Sequence, residues 1–179
     1  SAQRLLVFVP PRSSMAGRSQ LATSTVVDYV ATGGTGARGQ TPIALLPKAS
    51  SVDVVFDASD VFTTTIDPPK LAEGKLRMAL PNILEERLLA DPADCHFAFR
   101  QTRGGGNTGP GETPKLPVAV VDRGLLTRAL DALTESGYRV GTATSEIYTV
   151  PPPAAGVLSV RIGRGRGVAR SAAHDGFAF

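Results

Sequence analysis

The apolar residues of this chain occur mostly in short runs that end at proline, glycine or aspartate. Residues 5–9 stop at Pro10-Pro11, and the β-branched runs 52–56 and 61–66 are separated by a turn-like spacer of polar and small residues. Runs of this length with such boundaries are typical of strands. Together with strand-like sequence at residues 20–31 and the short run 43–46, the pattern predicts an antiparallel meander.

Two segments have helical rather than strand periodicity. Five apolar residues recur at helical spacing on one face: Leu76, Leu80, Ile83, Leu84 and Leu88. Pro81 lies inside this pattern, so the helix either kinks or starts again there. The segment ends at Asp91-Pro92, because a residue before proline avoids the α region, and residues 96–99 then read as a strand.

A second helix is predicted between two strands. The run 117–121 is a buried strand, Asp122 is placed to cap the helix, and Gly137 is placed to stop it. A strand then begins near residue 138. If the flanking strands pair in parallel, the segment is a βαβ unit.

The composition favours a strand-rich protein with loops, since there are 19 glycines, 14 prolines and only 6% aromatic residues among 179. Pro151-Pro152-Pro153 marks a subdomain boundary. Residues 1–150 are expected to form a first subdomain region with a mixed sheet, helices near 74–90 and 123–136, and a mobile loop at 101–116. Residues 151–179 are expected to begin a second subdomain with an Arg-Gly hairpin.

The inventory of reactive side chains is small. Cys95 has no partner for a disulfide or a zinc site and is expected to be buried in a reducing compartment. The two histidines, His96 and His174, are distant in sequence, so neither metal nor nucleophilic chemistry is favoured. No apolar run reaches the ~20 residues of a membrane span, and the chain as given is expected to be soluble and not exported.

Charge is unevenly distributed. Residues 1–50 carry five basic and one acidic side chain, whereas residues 51–99 carry four basic and nine acidic ones. Within the acidic stretch, Glu85, Glu86, Asp91 and Asp94 form either a solvated helix face or a surface for a basic partner. Adjacent residues 85 and 86 diverge by about 100° on a helix, so a catalytic carboxylate pair is disfavoured.

Residues 156–179 carry four arginines and one aspartate. Arg161, Arg164 and Arg166 in the predicted hairpin form either a solvated turn or a face for an acidic protein partner. Contacts with nucleic-acid phosphates are disfavoured, because no aromatic residue lies between Tyr148 and Phe177 to stack on bases. The glycine-rich segment 32–36 lacks the Lys-Ser/Thr of a phosphate loop and is expected to be a turn. Asp122 could belong to a strand-end active site, but a helix cap accounts for it.

The sequence from Leu76 to Ala98 resembles a signature of the general secretion pathway L proteins. Its parts are R-x-A-L-P-x-x-L-E-E-x-L, a short acidic spacer and H-F-A, seen here in RMALPNILEERL and HFA. The end of the first strand at residues 9–12, the sequence ALLP at 44–47 and VAVVDR at 118–123 also fit. The likeness covers most of the chain, but only the helix motif and its H-F-A tail are specific.

The resemblance implies an α/β, strand-rich fold of the actin/Hsp70-like ATPase type with RNase-H-like subdomains. It implies a cytoplasmic scaffold that recruits the secretion ATPase (the E protein) through that ATPase's N-terminal domain. The remainder of such a protein would cross the inner membrane once and pair with the M protein and other platform proteins, and a homodimer is compatible with this arrangement. The chain is therefore expected to be a fragment of a membrane-anchored protein at the cytoplasmic face of the inner membrane.

The resemblance also implies that nucleotide binding has been lost. Active relatives carry an Asp-x-Gly-Thr-type loop after the first strand, where this chain has Pro10-Pro11-Arg12. Proline offers no amide to a phosphate, and the expected acidic position of the second phosphate loop falls near Arg161. We therefore expect no cofactor, no metal and no catalysis. The alternatives are an actin-like ATPase related to pilus-assembly M proteins, and a nucleic-acid-binding module built on the arginine hairpin.

Overall fold

The structure is a computed structural model, which describes residues 3–15, 21–32, 36–99, 115–163 and 166–179. Two α-helices and three β-sheets lie within these residues. The helices are α1 (Glu73–Leu84) and α2 (Arg123–Glu135). The strands, in chain order, are β1 (Arg4–Phe8), β2 (Val26–Thr32), β3 (Arg38–Pro42), β4 (Ser51–Phe56), β5 (Val61–Ile66), β6 (Cys95–Phe99), β7 (Leu116–Asp122), β8 (Val140–Ser145), β9 (Ser159–Gly163), β10 (Arg166–Ala172) and β11 (Asp175–Ala178).

The first sheet has five strands in the order β3-β2-β1-β4-β8. Strands β1, β2 and β3 pair antiparallel, while β4 lies parallel to both β1 and β8. Alternate residues of the central strands, such as Leu5 and Val7, are buried, as expected for side chains that share one face of a strand. Helix α2 covers this face with Leu125, Ala129 and Leu133.

The predicted antiparallel meander is therefore correct only for β1 and β2, and the strand β3 was not predicted. Strand β4 joins the first sheet in parallel, and β5 leaves it for a second sheet. Val54, Val55 and Phe56 are all buried, as befits a strand with neighbours on both sides. Periodicity shows that a strand exists but does not identify its neighbours. The run 43–46 is also not a strand, because Ile43–Leu45 forms a 3₁₀ turn.

The second sheet has the order β5-β7-β6 and is antiparallel throughout. Helix α1 packs on it through Leu76, Leu80 and Leu84, which are almost fully buried. Ile83 was predicted on the same stripe but is 42% exposed, because it lies beside rather than on the i, i+4, i+8 line. Pro81 is accommodated within a continuous helix.

The predicted βαβ unit does not form. Strand β7 pairs with β5 and β6, whereas β8 pairs with β4 in the other sheet. The second sheet is thus inserted between β4 and α2, and α2 returns the chain to the first sheet. The other local predictions here are confirmed: Asp122 caps α2, and Gly137 follows the helix with φ of 83°, a conformation that favours glycine.

The third sheet, β9-β10-β11, contains the predicted hairpin and is antiparallel. A small apolar cluster of Ala58, Ile147, Val150 and Val168 packs it against the ends of β4 and β8. The chain between these sheets runs through Pro151–Pro153 without regular secondary structure. The loop predicted at 101–116 lies mainly outside the described residues. Within the described ranges, no helix has the length and hydropathy required to cross a membrane.

Candidate functional site

The charged residues that were predicted from the sequence lie in two regions of the molecule. One is the segment that links α1 to β6, and the other is the end of the five-stranded sheet where β1, β4 and β8 all finish. The hairpin arginines reach the second region and not the first. Within the described residues, no ion pair joins the predicted acidic group to the hairpin.

The acidic group lies on the segment 85–94, which we call the acidic edge. Glu85, Glu86, Asp91 and Asp94 are all exposed, and none of them forms an ion pair within the part of the chain that the structure describes. Asp91 accepts a hydrogen bond from the backbone N–H of Ala93 at 2.8 Å and so caps a short 3₁₀ turn. The group thus presents several solvated negative charges on one connecting segment.

The basic residue of this segment faces the sheet rather than the acids. Arg87 donates to Thr64 Oγ1 on β5, and its guanidinium lies 5.8 Å from the centre of the Phe62 ring, within the range of cation–π attraction. Leu89, in contrast, is fully exposed at 109% of its reference area. The acidic edge therefore combines exposed carboxylates with one protruding apolar side chain.

The loop after β1 holds a smaller charge network. The backbone N–H of Arg12 donates to Asp60 Oδ2 at 2.9 Å, and the Arg12 side chain pairs with Asp122 at 3.2 Å. Burial raises the pKa of Asp60 above its usual value of 3.8, and the hydrogen bond from Arg12 opposes that rise only in part. Arg12, Asp94 and Asp122 also border an open groove of about 570 Å³ together with Arg123, Gly124, Thr127, Arg128 and Ala93.

The end of the sheet also holds two acids that sequence reasoning missed. Asp57 directly follows β4 and Glu146 directly follows β8, and they are only 4% and 6% exposed. Arg166 of the hairpin pairs with Asp57, and Arg161 pairs with Glu146. The third predicted hairpin residue, Arg164, lies outside the described residues. Aspartate immediately after a buried apolar run was the one available signal for Asp57.

The fold type raises the question of whether the end of the five-stranded sheet can bind a nucleotide with Mg²⁺. Pro10 and Pro11 supply no amides after β1, and the amide of Arg12 is engaged by Asp60. The two carboxylates at the strand ends already face arginine side chains. A guanidinium at a carboxylate competes with Mg²⁺ for the same oxygens. The residues at this end of the sheet therefore do not fit a magnesium-bound nucleotide.

Cys95 and His174 lie in packed rather than reactive surroundings. Cys95 is buried as predicted, and burial raises the pKa of its thiol. His174 faces the Tyr148 hydroxyl at 3.4 Å from Nδ1, and burial, followed by the charge of Arg170, lowers its pKa. Within the described residues, no group of three or more His, Cys, Asp or Glu side chains is arranged to hold a metal ion.

Comparison with known proteins decides the family. The family model described as type II secretion system (T2SS), protein L matches residues 8–178. The chain belongs to this family. The resemblance seen in the helix motif is confirmed, and the chain is thereby related to a component of type II secretion.

A relative from Vibrio cholerae and solved structures are also similar to this chain. The type II secretion system protein L of Vibrio cholerae is 30% identical over 113 residues, which make up 63% of this chain and 26% of that protein. The chain thus spans about a quarter of that relative. It is also similar to Cyto-EpsL, the cytoplasmic domain of an inner membrane component of the Vibrio cholerae type II secretion system, with a TM-score of 0.68, 20% identity and coverage of 99% of this chain and 71% of that one.

A further solved structure supports the fold. The PilM–PilN type IV pilus biogenesis complex matches with a TM-score of 0.58 and 15% identity over 98% of this chain and 61% of that chain. At these identities the two structural matches establish the fold alone. The family's fold is a mixed, strand-rich α/β structure of the actin-like ATPase type, as the resemblance implied.

Proposed function

We propose that this chain is part of a non-catalytic scaffold at the cytoplasmic face of the inner membrane, where it recruits the secretion ATPase of a type II secretion system. Membership in the L-protein family supports this proposal, as does the similarity to the cytoplasmic domain of an inner membrane component. Membrane anchoring and contacts with the M protein and other platform proteins are proposed for parts of the whole protein outside this chain.

The observation that carries the proposal is the acidic edge. Four exposed carboxylates lie within residues 85–94, and Arg87, the cation among them, is turned toward Thr64 and Phe62. Exposed charges of one sign attract a partner of the opposite sign from a distance and raise the association rate. The partner surface is therefore expected to be basic.

Leu89 supplies the short-range contribution. A leucine that moves from full exposure to a buried site gains about 1.5–3 kcal/mol, and no other side chain of the described structure covers Leu89. Met78, on the outer face of α1, is 81% exposed and adds a second apolar contact. We expect the ATPase N-terminal domain to receive Leu89 in an apolar depression with a basic rim.

Charge reversal at the acidic edge tests this surface. The variant Glu85→Lys/Glu86→Lys should bind the N-terminal domain of the cognate ATPase at least about tenfold more weakly, which corresponds to about 1.4 kcal/mol. Leu89→Ala should weaken binding without a change in its salt dependence. Asp131→Lys/Glu135→Lys, on the exposed side of α2, is the matched control and should bind like the wild type.

Equal affinity for the two charge-reversed variants would remove the acidic edge from the proposal. Circular dichroism on each variant verifies the fold, since every substituted side chain is exposed. Binding that falls equally in both variants would show that net charge, and not this surface, governs the association.

The non-catalytic part of the proposal rests on the end of the five-stranded sheet. The prolines after β1 and the paired carboxylates Asp57 and Glu146 give a nucleotide little to bind. Thermal unfolding in millimolar ATP and Mg²⁺ separates the scaffold from an actin-like ATPase, because a ligand that binds the folded state raises the melting temperature. An unchanged melting temperature is expected, and a dose-dependent rise would favour the ATPase.

The arginine hairpin is not proposed as a nucleic-acid site. Arg161 and Arg166 are engaged with carboxylates of the same chain, so their charges are already compensated. Steeply salt-dependent binding to DNA or RNA would contradict this assignment.

A further inference from the structure

The hairpin of β9 and β10 meets the end of the five-stranded sheet through paired charges. Arg161 lies on β9 and Arg166 begins β10. Their partners are Glu146 and Asp57, which follow β8 and β4. Two charge pairs therefore link the third sheet to two different strands of the first sheet.

The two carboxylates are neighbours because of the strand register. Strands β4 and β8 are parallel, and Phe56 lies opposite Ser145 at their last paired position. Asp57 and Glu146 are the next residues after this pair, so they lie side by side at the same end of the sheet. Both are almost fully buried, although each follows a strand end, where solvent exposure would be usual.

Buried carboxylates require compensation, since an isolated buried charge is strongly unfavourable. Asp57 Oδ1 accepts hydrogen bonds from the backbone N–H of Ser59 at 2.9 Å and from its hydroxyl at 2.6 Å. Its Oδ2 accepts from Arg166. Glu146 Oε1 accepts from Arg161. Each carboxylate thus draws its positive partner from the hairpin and not from its own sheet.

A third arginine strengthens the same attachment. Arg170 of β10 is 7% exposed and donates from Nη1 to the carbonyl of Val150 at 2.6 Å and from Nε to that of Ala172 at 3.2 Å. Its guanidinium also lies 5.2 Å from the centre of the Tyr148 ring. Val150 follows β8 after one short turn, so Arg170 fixes the hairpin to the strand whose end carries Glu146.

We propose that the β9–β10 hairpin permanently supplies the positive charges that neutralise the carboxylates at this end of the five-stranded sheet. In active relatives, as the resemblance implies, Mg²⁺ and phosphate would lie after the first strand, at this same end of the sheet. Here Arg161 and Arg166 supply the positive charge, and the chain holds its first and third sheets together without a ligand. The proposal concerns the geometry of the scaffold and is independent of ATPase docking.

This arrangement has a consequence for the role of a scaffold. A protein whose sheets are joined through a nucleotide changes its shape as the nucleotide binds, reacts and leaves. A protein whose sheets are joined by its own side chains has one arrangement at all nucleotide concentrations. The paired hairpin therefore gives the neighbouring surfaces a constant relative position.

Thermal unfolding of charge-neutral variants tests the hairpin. Arg161→Gln/Arg166→Gln leaves two buried carboxylates unpaired and should lower the melting temperature by roughly 10 °C or more, given about 2–4 °C per kcal/mol for a domain of this size. Arg38→Gln/Arg139→Gln is the matched control. These two arginines are exposed and form no ion pair within the described residues, so a change of only 1–2 °C, or roughly the effect of an ordinary surface substitution, is expected.

The pairing itself is tested by removing both charges. Asp57→Asn and Arg166→Gln together should lower the melting temperature by less than the sum of the single changes, because the second substitution removes the charge that the first left alone. If Arg161→Gln/Arg166→Gln does not fold, the fourfold variant that also carries Asp57→Asn and Glu146→Gln should fold, since its edge is neutral.

Three results would overturn the proposal. The first is a melting temperature of Arg161→Gln/Arg166→Gln equal to that of the control variant. The second is strict additivity of Asp57→Asn and Arg166→Gln. The third is a fourfold variant that is no more stable than the double arginine variant. None of these measurements involves the ATPase, so they fail or succeed separately from the docking experiment.

Discussion

Arg12 and Asp122 form an ion pair, with Arg12 Nη1 3.2 Å from Asp122 Oδ2. The pair joins the loop after the first strand of the five-stranded sheet to the residue that caps α2. Asp122 uses its other oxygen, Oδ1, to accept the backbone N–H of Leu125 at 2.6 Å. One carboxylate thus caps the helix and links it to the loop that follows β1.

Asp122→Ala should remove both interactions. Loss of the cap costs about 0.5–2 kcal/mol, and the partly exposed ion pair adds at most about 1 kcal/mol. Urea unfolding should show this loss in the free energy of unfolding. Asp122→Asn, which keeps a capping oxygen, should lose clearly less, and equal losses for the two variants would argue against the capping role.

Leu80 tests the packing of α1 on the second sheet. Its side chain is fully buried among the apolar residues of that sheet, so Leu80→Ala should lower the free energy of unfolding by about 2–5 kcal/mol. Met78→Ala on the outer face of the same helix is the control and should change it by less than about 0.5 kcal/mol. Similar losses at both positions would contradict the observed orientation of α1.

Histidine protonation should destabilise the fold. Burial lowers the pKa of both His96 and His174 from the usual 6.5, with neighbouring arginines adding to the effect. The folded state therefore favours the neutral rings. Their stabilising contribution is complete above pH 6.5 and is lost as the pH falls through the lowered pKa values. Asp60, whose pKa burial raises above 3.8, has the opposite effect, since its stabilising contribution is lost as the pH rises through the raised pKa.

Urea unfolding between about pH 7.5 and pH 5 measures the histidine contribution. The free energy of unfolding should decrease as the pH falls through this range, and His96→Gln/His174→Gln should reduce the slope. A wild-type slope that the double variant retains in full would assign the effect to other groups.

Cys95 should react slowly with thiol reagents in the folded protein. Its side chain is buried on β6, and burial raises the pKa of the thiol, so little thiolate is available. Labelling should accelerate sharply at the urea concentration where the fold is lost. Rapid labelling in the absence of urea would show that β6 opens locally.

Local patterns in the sequence predicted much of the secondary structure. The stripe of Leu76, Leu80 and Leu84, the cap at Asp122 and the hairpin after Pro153 are all determined by neighbours a few residues away. The neighbours of β4 and β8 were not predictable in this way. Those strands meet only after the second sheet has been inserted between them, and a hydrophobic run does not encode its distant partner.

The same limit applies to the charged sites. Asp57 was interpreted as part of a turn because its partner Arg166 is 109 residues away in sequence. The acidic edge was recognised, since its four carboxylates lie within one short segment. That Arg87 contacts Thr64 and Phe62 of β5, and that Leu89 is fully exposed, could be seen only in the structure.

The most direct test of the scaffold proposal is calorimetric titration of this chain, without nucleotide, against the N-terminal domain of its cognate secretion ATPase. Saturable binding with a dissociation constant of roughly tens of micromolar or tighter is predicted, weaker at high salt because charge contributes to it. Absence of binding heat at these concentrations, together with no complex in a second method such as analytical ultracentrifugation, would contradict the proposed recruitment of the ATPase.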